Sequence, residues 1–292
     1  MNETGNAKGN QLSNFSGNAL CGELSNLKAI VKRNATNVNG GFLYLGAGVG
    51  MGLIAFSRKV RKVESSELHL TKAEIPYTIA MIVLDIAAPI CMLIGLSATT
   101  AANASLLNNF EIVATAIIAL VAFKERISKR LWLGIIFVTA SSAILSFEDF
   151  SSFEFSYGSL FVLLAAVFWG LENNCTRKLS SCDPLEIVLL KGIFSGMGSI
   201  GIGFIIGERV ENLWSIFAVM IVGVVSYGLS IYFYVHAQRL LGAARTSAYY
   251  AVAPFIAAFF SILIFQQIPG IPYFIALFFM AVGAWFASHD SI

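Results

Sequence analysis

Residues 101–146 read AANASLLNNFEIVATAIIALVAFKERISKRLWLGIIFVTASSAILS, and their pattern recurs without a gap over residues 243–288, AARTSAYYAVAPFIAAFFSILIFQQIPGIPYFIALFFMAVGAWFAS. The offset, 243 minus 101, is 142 residues. Identities are few, but both copies run from small residues through a long apolar stretch and a short polar break into a second apolar stretch. The break is charged in the first copy, at residues 124–130, and uncharged in the second, at residues 266–272. Two copies whose loops differ in this way are typical of an inverted repeat in a membrane transporter.

The composition is that of a membrane protein. Of the 292 residues, 57% are hydrophobic and only 12% are charged, whereas a soluble domain carries about twice that charge. Most apolar residues fall in runs of roughly 18–24, long enough to cross a ~30 Å hydrocarbon core. We therefore predict an all-α integral membrane protein with about nine spans. The predicted spans are residues 41–57, 75–97, 101–123, 130–147, 156–176, 185–206, 214–236, 245–266 and 270–288.

Charge and cysteine content limit the kinds of partner. The formal net charge of +2 is close to neutral, so the sequence favours no acidic partner such as a nucleic acid. The four cysteines show no metal-ligand spacing, and two of them lie in or near predicted spans. A disulfide framework is therefore not predicted, and neither is a metal or another cofactor.

The first 39 residues differ in kind from the rest. They are rich in Asn, Gly and Ser, and they contain no apolar run of spanning length. No charged segment followed by an apolar core marks a signal peptide. We predict that residues 1–39 form a polar, mostly disordered segment.

Basic residues predict the orientation of the spans, because Lys and Arg accumulate on cytoplasmic loops. The basic loops are residues 58–74, 124–130, 177–184 and 238–244. They alternate along the chain with loops that are acidic or poor in charge, at residues 97–100, 147–154, 208–211 and 266–270. This alternation predicts a cytoplasmic C-terminus.

Several motifs resemble the drug/metabolite transporter superfamily, EamA type. They are NASLLNNFEIVA (103–114), FKERISKR (123–130) and LGAARTSAYYAVAP (241–254). The similarity runs from about Gly40 to Ser288. The resemblance implies ten helices in two inverted five-helix repeats around a central cavity. It also implies transport of small metabolites, with both termini in the cytoplasm.

The chain departs from this family pattern at its start. YGSLFVLLAAVFW (157–169) looks like the opening helix of the second repeat, and FLYLGAGVG (42–50) resembles LKGIFSGMG (190–198). The partner of the opening helix should therefore lie before Tyr44, where no apolar run exists. The expected organisation is a polar segment at 1–39, an incomplete first repeat at 40–148 and a second repeat at 156–288.

Charged residues lie well inside several predicted spans, where charge is costly unless it faces a partner or water. Asp85 and Glu111 lie near the middle of consecutive spans, and each could bind substrate or a proton. Glu172 and Lys191 lie at similar depth on two later spans and could pair in a structural or gating role. For Asp85 and Glu111 the alternative is a hydrogen bond that holds helices together.

Amide and aromatic side chains complete the candidate substrate cavity. Amides can bond a zwitterionic or polar metabolite, or one another across helices. Aromatic rings can line the cavity or anchor a helix at the membrane interface. The remaining candidates for the cavity are Asn108, Asn109, Trp169, Asn173, Tyr227, Tyr249 and Tyr250.

Pairs of glycines four residues apart predict where helices approach closely. They are Gly46/Gly50, Gly48/Gly52, Gly192/Gly196 and Gly203/Gly207.

The sequence predicts a secondary transporter that moves a small organic metabolite, an amino acid or a drug-like solute, by alternating access. We expect a multi-pass protein of the plasma membrane, or of the inner membrane in a Gram-negative cell. No P-loop is present to bind nucleotide, so the energy would come from a gradient of solute or protons. One alternative is a non-transporting scaffold that has lost its first helix. The other is an intramembrane, lipid-modifying enzyme, for which no positive signal exists.

Overall fold

A computed structural model describes residues 36–61, 67–99, 104, 107–146, 157–208, 213–252, 256 and 271–288. The first helix begins at Thr36, inside the segment predicted to be polar and mostly disordered. The rest of that segment, residues 1–35, lies outside the described residues. So does most of the predicted span 245–266.

Helices account for the regular structure of the described chain. They are α1 (Thr36–Val60), α2 (Ile75–Ala98), α3 (Phe110–Val121), α4 (Lys129–Ser146), α5 (Tyr157–Leu179), α6 (Pro184–Ile205), α7 (Leu213–Val222), α8 (Ser230–Leu241), α9 (Ala243–Tyr250) and α10 (Ile271–Ser288). A π-helical segment, Gly223–Leu229, joins α7 to α8. The all-α fold predicted from the apolar runs is confirmed.

Five helical stretches are long and apolar enough to cross a membrane. They are Asn37–Val60, Ile75–Ala98, Tyr157–Leu179, Pro184–Ile205 and Trp214–Leu241, and two shorter apolar helices cover Phe110–Val121 and Ile271–Ala287. Large apolar side chains such as Leu53, Trp214 and Phe233 are well exposed on these helices. Such exposure would be unfavourable in water and is expected for side chains that face lipid. The chain is a multi-pass membrane protein.

The chain divides into two compact units. The described part of unit 1 comes from residues 91–170 and 244–292, and that of unit 2 from residues 30–90 and 171–243. The boundaries fall within α2 and α5, so each of these helices contributes residues to both units.

The core of unit 2 is the antiparallel pair of α1 and α6, which touch backbone to backbone. A Cβ atom placed on Gly192 would lie 2.5 Å from Gly48 Cα, and one on Gly196 would lie 2.8 Å from Gly41 O. Only glycine leaves room for such an approach. The predicted close contact is confirmed here, whereas Gly207 lies beyond the end of α6 with a φ of 87° and open space around it.

The core of unit 1 is the antiparallel pair of α4 and α10. A Cβ atom on Gly134 would lie 2.9 Å from Gly283 O, and the buried Ser141 donates a hydrogen bond to Ala276 O at 2.6 Å. The bounds of α10 are those of α4 shifted by the same 142 residues as the sequence repeat. Under the same shift, Gly134 of α4 is equivalent to Ala276 of α10, and Gly283 of α10 is equivalent to Ser141 of α4. The Gly134–Gly283 contact is therefore equivalent to the Ala276–Ser141 contact, and a local pseudo-twofold axis relates the two.

Unit 2 has a comparable internal symmetry. The segments 42–50 and 190–198 are offset by 190 minus 42, or 148 residues. A Cβ atom on Gly41 would contact Ile200, and one on Gly52 would contact Leu189; the 148-residue shift exchanges these two pairs. Equivalent helices of the two halves of the chain therefore run antiparallel in each unit, as an inverted repeat requires.

Candidate functional site

Three ionisable side chains meet in the interior of unit 2. Lys191 on α6 donates a hydrogen bond from Nζ to Glu172 Oε1 on α5 at 2.9 Å. The same Nζ lies 3.5 Å from Asp85 Oδ1 on α2. The exposed fractions of Asp85, Glu172 and Lys191 are 1%, 4% and 7%. The predicted pairing of Glu172 with Lys191 is confirmed, and Asp85 joins it; we call these three residues the ion cluster.

Neutral hydroxyl groups support both carboxylates of the ion cluster. Tyr44 on α1 donates a hydrogen bond from its hydroxyl to Asp85 Oδ1 at 2.9 Å. Thr176, one turn after Glu172 on α5, donates to Glu172 Oε1 at 2.5 Å. The ring of Tyr227 packs edge-on against that of Tyr44, with centroids 5.1 Å apart. Candidate Tyr227 therefore reaches the cluster through Tyr44.

The ion cluster carries an excess of acid. It holds two carboxylates and one ammonium group, so with all three ionised its net charge is −1. Within the described residues, the second oxygen of Asp85, Oδ2, is buried and has no hydrogen-bond partner. Because charge in a protein interior must be paired to be tolerated, the site favours a further positive charge at Asp85.

Candidate Asn173 extends the polar region of unit 2 toward α8. Its side-chain oxygen Oδ1 accepts a hydrogen bond from the Tyr234 hydroxyl at 3.2 Å. Its backbone oxygen accepts one from the fully buried Gln238 at 2.9 Å. Asn173 follows Glu172 directly in α5, so a shift of this helix would move the amide contacts and the ion cluster together.

The candidates Asn108, Asn109 and Glu111 lie in unit 1. Asn109 is the cap residue at the start of α3, so Glu111 falls in the first turn of that helix and is only half-buried. The sequence places Glu111 near the middle of the predicted span 101–123, and within the described residues the regular helix α3 begins at Phe110, directly before it. A carboxylate in a first helical turn is stabilised by the helix dipole, which gives Glu111 a structural explanation.

The aromatic candidates of unit 1 pack mainly against apolar side chains. Trp169 lies against the buried cluster that contains Met92, Leu96 and Val162. Tyr249 packs against the core around α4 and α10, whereas Tyr250, at the end of α9, is exposed. None of these three belongs to the ion cluster.

Tyr44 and Thr176 were not among the predicted site residues. Tyr44 lies inside the segment 42–50, which was interpreted from its resemblance to residues 190–198 and from its paired glycines. Its phenol could have indicated a role in the site, because a buried tyrosine hydroxyl usually finds a hydrogen-bond partner. Thr176 follows Glu172 by four residues, the spacing that places two side chains on the same face of a helix.

Two loop segments and one helical arginine of unit 2 form a second polar network, which we call the loop clasp. It consists of residues 67–70 of the loop after α1, residues 180–186 of the turn after α5 and the start of α6, and Arg239 on α8. Arg239 Nη1 donates to Glu67 Oε2 at 2.8 Å, and its guanidinium also donates to the backbone oxygens of Ser180 and Cys182. The residues of the loop clasp lie in or next to the basic loops 58–74, 177–184 and 238–244, which were predicted on the same side of the membrane. Their hydrogen bonds show that these three segments lie close together.

The loop clasp also contains a titratable pair. His69 Nδ1 lies 2.5 Å from Glu186 Oε1, and Leu70 N donates to Glu186 Oε2 at 3.0 Å. The hydrogen bond with Glu186 and the charge of that carboxylate raise the pKa of His69 above its ordinary value of 6.5.

Asp183 caps the start of α6 by accepting a hydrogen bond from Leu185 N at 2.9 Å, and its own backbone N donates to Leu68 O at 2.8 Å.

Within the described ranges, no group of three or more His, Cys, Asp or Glu side chains is placed to bind a metal ion.

Comparison with known proteins agrees with this architecture. An uncharacterized transporter of Methanothermobacter thermautotrophicus is 28% identical over 188 residues, which cover 62% of this chain and 54% of that protein. The chain thus spans about half the length of this curated relative. One solved crystal structure matches with a TM-score of 0.74 over 95% of each chain, at 16% identity; this likeness shows the fold alone.

The family comparison covers most of the chain in two segments. The sequence profile of the EamA-like transporter family matches residues 28–147 and again residues 156–289. The two matches fall on the two halves that the internal repeat defines. The resemblance found in the motifs is therefore confirmed, and the chain belongs to the EamA-like transporter family.

Proposed function

We propose that this chain is a secondary transporter that moves a small organic solute, an amino acid or a drug-like compound, by alternating access, with the ion cluster as its binding site. Membership of a transporter family supports transport. The ion cluster supports the location of the site, because ionisable groups buried in a membrane protein are costly and mark the path of a substrate or ion.

The geometry of the ion cluster suits a zwitterion. Lys191 can pair with a substrate carboxylate, and Asp85 can pair with a substrate ammonium group. The Lys191–Asp85 contact is long, at 3.5 Å, whereas the Lys191–Glu172 contact is 2.9 Å. The substrate would therefore enter between Lys191 and Asp85, and the Glu172–Lys191 pair would hold α5 and α6 together while it does so.

The described conformation is closed around the ion cluster, since each of its three side chains is buried. Access to the site then requires movement of the helices that carry it, α2, α5 and α6. We propose that the repeats at 40–148 and 156–288 rock against each other to expose the site to each side in turn. The loop clasp would then lie on the cytoplasmic side, as would the C-terminus.

Reconstitution tests this function. The purified full-length chain is inserted into liposomes preloaded with a mixture of unlabelled amino acids, and counterflow of the labelled mixture is measured. A fluorescent drug-like cation is tested separately. We expect at least one labelled solute to accumulate above the level in protein-free liposomes.

The alternatives predict other results. A correctly folded, monodisperse protein that moves none of these solutes would favour the non-transporting scaffold. Chemical conversion of labelled lipid in the same liposomes would favour the lipid-modifying enzyme.

A further inference from the structure

We propose that the closed, substrate-free ion cluster binds one proton, held on Oδ2 of Asp85, and that this proton competes with a solute that carries one net positive charge. The inference rests on the proposed function and adds the identity of the coupling ion. Its starting point is the excess of acid in the cluster, where two carboxylates share one ammonium group.

The described residues that face Asp85 provide no second positive charge. Tyr44 faces it from α1, Glu172 from α5 and Lys191 from α6, and Tyr227 of the π-helical segment reaches it through the ring of Tyr44. Among these groups only Lys191 is a cation. Ionisation of both acids would therefore leave one uncompensated negative charge in the interior, whereas one bound proton makes the cluster neutral.

Asp85, rather than Glu172, is the acid that holds this proton. Glu172 Oε1 accepts hydrogen bonds from Lys191 Nζ at 2.9 Å and from the Thr176 hydroxyl at 2.5 Å, and both favour the ionised form. Asp85 has the more distant contact with Lys191, at 3.5 Å. Its Oδ2 is buried without a hydrogen bond of ordinary geometry in the described part of the chain, and the nearby hydroxyl of Ser195 on α6 can accept a hydrogen bond from a proton placed there.

Burial decides between a proton and a larger cation. Asp85 is 1% exposed and Glu172 is 4% exposed, so this conformation leaves no access for an organic ammonium group or a hydrated metal ion. A proton requires no such space. When the site opens, Asp85 Oδ2–H can transfer its proton to water, and the resulting carboxylate can pair with the ammonium group of a solute. On the opposite side of the membrane, departure of the solute allows Oδ2 to take a proton back from water.

For a solute with one net positive charge, this scheme predicts one proton released for each molecule bound. The charge of the site is then the same in both states: neutral with the proton on Asp85, and neutral with the ammonium group in its place. A zwitterion adds no net charge, so its binding releases no proton. The low cost of a neutral site in both states is what would allow the transporter to reorient with either ligand and to couple their movements.

Infrared difference spectroscopy tests the bound proton without any solute. The full-length chain in lipid is titrated by pH, and the carbonyl stretch of a protonated carboxyl group is followed. We expect the wild type to show the band of one protonated carboxyl group shielded from water, separate from the bands of its exposed acids. Asp85→Asn should abolish its band, and Asp85→Glu should keep the band at a shifted frequency.

The charge count gives two further expectations. Glu172→Gln should abolish the band, because Asp85 and Lys191 then form a neutral pair that needs no proton. Lys191→Gln should increase it, because both acids are then without a cation. Glu74→Gln, which removes an acid from the loop before α2, is the matched control and should leave the band unchanged.

Absence of a titrating band in the wild type, or its persistence in both Asp85→Asn and Glu172→Gln, would overturn the proposal. If Asp85→Asn does not fold, the frequency shift in Asp85→Glu decides the assignment; an unshifted band would refute it. Because no solute is used, failure here refutes the proton site and leaves the transport function to be judged by counterflow.

Discussion

Replacing Gly192 by alanine tests the packing that holds the ion cluster together. The new Cβ atom would lie 2.4 Å from Gly48 N, 2.5 Å from Gly48 Cα and 2.6 Å from Tyr44 O. Ordinary contact begins at 3.4 Å, so α1 and α6 must separate locally by about 1.0 Å, the difference between 3.4 and 2.4. Because the obstructing atoms are backbone, no side-chain rotation can relieve the clash.

The expected cost follows from two opposing effects. Overpacking of this kind costs roughly 1–3 kcal/mol, whereas alanine in place of glycine within a helix returns about 0.5–1 kcal/mol. We expect a net loss of roughly 0.5–2 kcal/mol in the free energy of unfolding. The displacement should also disturb Lys191, the preceding residue, so counterflow should fall as well.

The assay is thermal unfolding of the detergent-solubilised chain. Gly201→Ala is the matched control, because it lies in the same helix with open space within 4 Å. This control should match or exceed the midpoint of the wild type. Equal midpoints for Gly192→Ala and Gly201→Ala would refute the close backbone contact.

Three further predictions concern other parts of the chain. Ser141→Ala removes the hydrogen bond to Ala276 O and should lower stability by about 0.6 kcal/mol in the same unfolding assay, with counterflow unchanged. Because the pKa of His69 is raised by Glu186, the stability advantage of the wild type over His69→Gln should be complete below pH 6.5. It should disappear as pH rises through the raised pKa; an advantage that grows with pH would contradict this. A single cysteine at Arg126 in an otherwise cysteine-free chain should react with an impermeant reagent only from the cytoplasmic side.

Local sequence was sufficient to predict the long helices, because each is an apolar run bounded by charged or small polar residues. The predicted span 75–97 corresponds to Ile75–Ala98, and the span 185–206 corresponds to Pro184–Ile205. The repeat offset also predicts where α10 begins and ends. These features depend on neighbouring residues and on the thickness of a bilayer, which the sequence expresses directly.

The composition of the ion cluster could be predicted only in part. Similar depth on consecutive spans was enough to pair Glu172 with Lys191. The addition of Asp85 and Tyr44 depends on how α1 and α2 rotate about their axes when they pack against α5 and α6, and the pattern of apolar residues does not specify that rotation. The start of α3 at Phe110, inside the predicted span 101–123, could not be predicted because a helix boundary inside an apolar run leaves no change in hydrophobicity.

Counterflow by variants of the ion cluster tests the central claim most directly. Once a labelled solute has been identified, its counterflow is measured for the wild type, for Lys191→Gln and for the control Ser141→Ala, each verified as monodisperse after reconstitution. The account predicts that Lys191→Gln falls to the level of protein-free liposomes while Ser141→Ala retains the wild-type rate. Wild-type counterflow in Lys191→Gln would show that the solute does not use the ion cluster and would contradict the account.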